Sequence, residues 1–224
     1  MNLGKNRVRV GITLAEMMLT ISIIGVIAVL VLPPVISHNK QQETANKLKK
    51  FYANINQAVR LSEIENGKCS TWRYPASKEN DSVLAFYKQY FAKYTKAVDI
   101  KRQNVSTAAG TSKRDVIKLA DGSAFWMSYS SSIDDRLAVF YFYPNADKIT
   151  NINAKRDVFL FELYKSKCFV EPYTLNWKNT RADLKSSSNK YGCNSKPTSK
   201  KNTKYYCAKL IEYDGWQISK DYPW

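Results

Sequence analysis

Glu16 is the only charged side chain among the 25 residues from Ile12 to Ile36, a run that is otherwise largely apolar. A carboxylate in such a segment is costly unless a cation or hydrogen-bond donors meet it, which makes it a functional candidate by default. Gly11 and Ile12 just before it suggest where the cation would come from. A cut between them would create an α-ammonium on Ile12, at i, i+4 from Glu16 and on the same face of a helix. Each charge would lower the cost of burying the other, within one chain or between neighbouring chains. An intermolecular pairing would also fix axial register, as buried polar groups do in coiled coils.

Other reactive groups are sparse. The four cysteines are Cys69, Cys168, Cys193 and Cys207, none in a C-x-x-C pair, and His38 is the only histidine. A Cys/His zinc site is therefore not expected, and a Ser/His/Asp or Cys/His catalytic set cannot be assembled around that one histidine. The eight glycines form no phosphate-binding loop. We expect no enzymatic activity, no bound metal and no cofactor. Asn145, Asp147, Asn151, Asn153 and Asp157 carry oxygen ligands, but their order does not fit a twelve-residue calcium loop, and they read as a strand connection. Asp99, Asp134 and Asp135 read as surface carboxylates.

The elements that position these groups begin with a basic leader, residues 1–11, carrying Lys5, Arg7 and Arg9. Residues 12–36 follow. At 1.5 Å per residue they make roughly 37 Å of helix, enough to cross a bilayer core of about 30 Å. The leading cations predict the N-terminus in the cytoplasm and the remainder outside. Leu32-Pro33-Pro34-Val35-Ile36-Ser37 is a poor small-x-small site for a secretory signal peptidase. An uncleaved anchor fits the hydropathy but gives Gly11 and Glu16 no role.

The segment GITLAEMMLTISIIGVIAVLVLP, residues 11–33, resembles the N-terminal signal of type IV prepilins and type II secretion pseudopilins. The family pattern is Gly, an aromatic or aliphatic residue, then Thr-Leu-x-Glu before a hydrophobic run. The resemblance covers about 25 residues closely. It implies cleavage after Gly11 by a prepilin peptidase, N-methylation of Ile12, an assembly role for Glu16, and a proline, Pro33, where the helix bends or melts on assembly. Ile12 departs from the family's usual Phe, a difference that bears on methylation more than on cleavage.

Residues 37–224 read as one globular domain outside the membrane. Leu48, Phe51, Tyr52, Ile55, Ala58, Val59, Ser62 and Ile64 follow a roughly 3.6-residue period, so one helix of about 50 residues should run from the apolar segment to a stop at Asn66-Gly67. Pro33 and Pro34 remove two backbone donors from it and should kink it. A second helix is expected over Asp81–Ala97, its aromatic stripe facing the core. Strands are expected at Asp115–Leu119, Ala124–Tyr129, Arg136–Tyr143 and Asp157–Tyr164, the first two joined at Asp121-Gly122. The run Leu119–Ser123 resembles a hairpin of pseudopilin domains. About four antiparallel strands packed on the long helix give an α+β, pilin-like fold with a disulfide-stapled C-terminal region. The favoured pairings are Cys193–Cys207, closing a short loop, and Cys69–Cys168, tying the helix to the sheet.

Residues 170–205 lack periodicity and read as a long surface loop. Its cations Lys178, Arg181, Lys185, Lys190, Lys196, Lys200, Lys201 and Lys204 are opposed only by Asp183. With a net charge of +16 on the whole chain, nucleic acid is one candidate partner. The aromatic end Asp221-Tyr222-Pro223-Trp224 is expected to dock on the domain. The leading expectation is a prepilin-like subunit of a single-pass inner-membrane precursor, partnered by prepilin peptidase, other subunits and the inner membrane. It would serve secretion, adhesion or DNA uptake. The alternative is a monomeric membrane-anchored binding protein for anionic ligands.

Overall fold

A computed structural model describes residues 11–73, 75, 80–108, 110–129, 135–176, 178–196, 198 and 203–224. The leader cations Lys5, Arg7 and Arg9, together with Asp134, Lys200 and Lys201, lie outside the described residues. The chain forms two compact units that divide between Lys40 and Gln41.

Helix α1 (Leu14–Asn66) is assigned without interruption through Pro33 and Pro34. It ends where the sequence places its stop. Gly67 takes a left-handed φ of 74°, a conformation open to glycine at no steric cost. The apolar face of its second half is buried at Leu48, Phe51, Ile55, Ala58 and Val59.

In the unit from Gln41 onward, α2 (Asn80–Tyr90) is followed by six antiparallel strands in sequence order. These are β1 (Ala97–Thr107), β2 (Gly110–Leu119), β3 (Ala124–Tyr129), β4 (Arg136–Tyr143), β5 (Phe159–Tyr164) and β6 (Phe169–Pro172). The architecture is the expected α+β one, a long N-terminal helix on an antiparallel sheet, with six strands rather than about four. Phe51 of α1 is the centre of the contact. Its ring lies 5.4, 4.3 and 5.2 Å from those of Phe125, Phe142 and Phe161. Asn56 of α1 adds a polar clamp: its side chain donates to Val170 O at 2.9 Å and accepts from Val170 N at 2.7 Å.

Helix α2 keeps its aromatic stripe in the core, at Phe86, Tyr87 and Tyr90, but ends seven residues before the expected Ala97. The chain turns at Phe91–Thr95, where the Thr95 hydroxyl meets the Tyr87 hydroxyl at 2.7 Å. It then enters β1, an edge strand with little burial.

The second face of the sheet is covered as well. Trp126 stacks on Tyr141 at 4.0 Å, and Arg114 lies over the Trp126 ring. Trp126 Nε1 donates to the Tyr143 hydroxyl, which donates to Ser106 O. Burial pushes that phenol up to about 12. Glu162 is fully buried on this side, accepting from Arg136 at 3.1 Å and Tyr164 at 2.7 Å. Tyr205, Tyr191 and Tyr173 extend the aromatic layer.

The stretch expected as a surface loop is thus partly core. It holds β6 and α3 (Arg181–Lys185) and leads to α4 (Cys207–Tyr213), with Leu184 and Cys193 fully buried. Thr180 and Asp183 form a capping box at the start of α3. The disulfides are Cys69–Cys168 and Cys193–Cys207, the two pairings favoured from the sequence.

Candidate assembly and processing site

Gly11, Ile12 and Thr13 precede α1 in non-helical conformation and are exposed. A Cβ placed on Gly11 would meet nothing within 4 Å.

Thr13 is the N-cap of α1. Its carbonyl accepts the first intrahelical bond, from Met17 N at 3.1 Å. Its hydroxyl accepts from Glu16 N at 3.2 Å, while Glu16 Oε2 accepts from both Thr13 N and Thr13 Oγ1 at 2.8 Å. This is a reciprocal capping box. It gives the isolated carboxylate two donors and satisfies amides that the first turn leaves unpaired. Both bonds fall on one oxygen, and among the described residues Oε1 accepts none. In the sequence Thr13 stands out only as part of the family pattern; the T-x-x-E spacing ahead of an apolar run is the signal of its physical role.

From Leu14 to Ile36 the apolar side chains are exposed all round the helix: Leu19, Ile24 and Leu30 are 62%, 65% and 71% accessible. The helix is long and apolar enough to cross a membrane. Its hydroxyls are satisfied internally, Thr20 donating to Met17 O and Ser22 to Met18 O, as a non-aqueous surround requires. Gly11, Ile12 and Glu16 are brought together at one helix end, and Pro33 lies within the same helix.

The other candidates are dispersed. Asn145 and Asn153 each accept from a backbone amide two residues on, and Asp157 accepts from Asn153 N at 2.6 Å, so these oxygens shape a turn. Among the described residues, the grouping of three metal-type ligands is Glu63 with Cys69 and Cys168, whose sulfurs are bonded to each other.

The basic stretch near the C-terminus is less one-sided than its local sequence suggests. Arg181 makes paired contacts to Asp214 and Asp221, and Lys185 also reaches Asp221. Arg181 holds the Asp214 carboxyl below the usual range, and with Lys185 holds that of Asp221 far below it. Asp183, the acid counted against the cations, is committed to Thr180. The number of phosphates this stretch can neutralise is correspondingly lower than its count of lysines and arginines.

A family model described as a family of unknown function (DUF6613) matches residues 34–224, and the chain belongs to that family. The match covers the globular part and leaves residues 11–33 outside it. No curated protein and no solved structure matches the chain.

Proposed function

We propose that this family member is a prepilin-like subunit of a type IV pilus or a type II secretion pseudopilus. In this reading it is inserted in the inner membrane with its N-terminus inside, cut after Gly11 by a prepilin peptidase, and assembled into a filament through α1. The observation that carries the reading is Glu16: one carboxylate in an apolar helix, four residues from the N-terminus that the cut would create. The capping box supports it, because Thr13 occupies one carboxylate oxygen and leaves the other for an ammonium. The exposure of Leu19, Ile23, Ile24, Ile27 and Leu30 supports it too. Helix-on-helix burial of such side chains outside the bilayer stabilises a filament at about 25 cal/mol per Å². Repetition of one heterologous contact extends it.

The test is the intact mass and N-terminal peptide of the protein isolated from its native membrane, in a host with active prepilin peptidase. The expected chain begins at Ile12, with or without one added methyl. A chain retaining residues 1–11 overturns the proposal and favours the membrane-anchored receptor, which has no use for a charged Ile12 amine. Glu16→Ala is expected to insert and be cleaved but to enter filaments poorly. Normal incorporation of that variant would remove the register role from Glu16.

A further inference from the structure

A cleft of about 420 Å³ lies in the unit from Gln41 onward. Its walls are the exposed side of α1, the turn between α2 and β1, and the β2–β3 turn at Leu119–Asp121. The volume falls within the range of small-molecule sites, roughly 300–1,000 Å³. Phe51, Ile55 and Phe125 close the base, and Leu61, 39% exposed, offers an uncovered apolar wall.

The rim is cationic. Lys50, Lys93 and Lys96 line the cleft against a single lining carboxylate, Asp121. Lys50 pairs with Asp121 at 2.9 Å, and Asp121 is fixed in its turn by Ser123. Lys93 is engaged by Glu65, outside the cleft. Lys96 makes no ion pair or hydrogen bond among the described residues. The arrangement is an apolar hollow with a surplus of ammonium groups at its mouth, and one of these is uncompensated.

We propose that this cleft binds a small amphipathic anion, a carboxylate carried on a short apolar body, with the body against Leu61 and the carboxylate at Lys96. Charge complementarity selects the headgroup: a cation would be repelled by the uncompensated ammonium of Lys96, and a neutral head would leave that charge without a counter-ion. The apolar base and wall select the body. The proposal goes beyond the assembly role and does not depend on how the N-terminus is processed.

The test is calorimetric titration of the purified full-length chain with 4-phenylbutyrate, 4-phenylbutanol and 4-phenylbutylamine. Saturable binding of the carboxylate is expected, about tenfold or more tighter than the alcohol, with no binding of the amine. Gln57→Trp, at an exposed α1 position lining the cleft, should abolish binding while the circular-dichroism melt stays unchanged. Lys96→Gln should weaken it about fivefold, the scale of an exposed charge contact. Lys49→Gln, outside the cleft, should leave it unchanged. Absence of saturable binding at millimolar ligand, equal binding of the alcohol, or indifference to Gln57→Trp overturns the proposal. Equal weakening by Lys49→Gln and Lys96→Gln would reduce the effect to bulk charge and overturn it too.

Discussion

The two halves of α1 solve the burial problem in opposite ways. From Met17 to Ile36 the helix is largely apolar around its circumference, and no residue of the candidate membrane window is buried. After Gln41 it is amphipathic, with Leu48, Ile55 and Val59 at 0–1% exposure and charged residues on the other side. The second half finds its partner in the chain's own sheet. The first half keeps its apolar side chains exposed among the described residues, a surface that suits lipid or other helices. An apolar stripe is thus the mark of a partner inside the molecule, and an apolar cylinder the mark of one outside it.

The largest test of that contrast sets Phe51 against Leu30. Phe51→Ala should destabilise the globular unit by about 3–5 kcal/mol, because its ring is surrounded by four others. Leu30→Ala should shift the same urea transition by less than about 0.5 kcal/mol; under the proposed assembly role its effect falls on filament entry instead. Equal destabilisation by both would break the contrast. Next comes replacement of Cys69 and Cys168 by Ser, expected to cost about 2–4 kcal/mol. By loop-closure entropy it should cost about 1–2 kcal/mol more than replacing Cys193 and Cys207, since the sequence separations are 99 and 14. Unfolding of the two double variants under identical conditions decides the order. Asn56→Ala should cost about 1–3 kcal/mol, because it leaves both backbone groups of Val170 buried without their partner. Asn56→Leu should rescue none of this if the loss is in hydrogen bonding.

The smallest effect is electrostatic and depends on pH. Asp214 and Asp221 have folded-state pKa values depressed by Arg181, so their contribution is complete above the unfolded carboxylate value, about 3.9. It is lost as the pH falls below that value. Arg181→Gln should therefore lower the urea midpoint at neutral pH, and the gap from wild type should shrink in strong acid. A gap that persists unchanged in acid would mean that Arg181 acts by packing.

Much of the sheet is legible because its signals are local. Ala124–Tyr129 and Arg136–Tyr143 combine aromatic and β-branched residues between turn signals, and they match β3 and β4 to the residue. Strand β1 is not legible, since its larger apolar residues are only Val98, Ile100 and Val105, and the two that alternate, Val98 and Ile100, stay exposed instead of marking a core face. It is held by ten registered pairings with β2 instead. The C-terminal region is opaque for a different reason. Arg181 finds its acids 33 and 40 residues further on, a separation that no periodicity reports. Local counting therefore sees only cations where the folded chain pairs two of them, Arg181 and Lys185, with distant acids. At the candidate site the order of legibility reverses. Gly11, Ile12 and Glu16 stand out by type and spacing, whereas the hydroxyl that positions Glu16 emerges only from the geometry of the first turn.

The Cys69–Cys168 bond has a mechanical meaning. It joins a residue just beyond α1 to the turn between β5 and β6. Tension applied to the two chain ends passes through the sulfur bridge and bypasses everything between those residues, including β1 to β5. At 3.3–3.6 Å per extended residue, a separation of 99 withholds on the order of 330 Å of contour length from extension. If the chain is built into a fibre as proposed, load on its ends would meet a limited slack and then the sulfur bridge, with most of the sheet shielded from the pull.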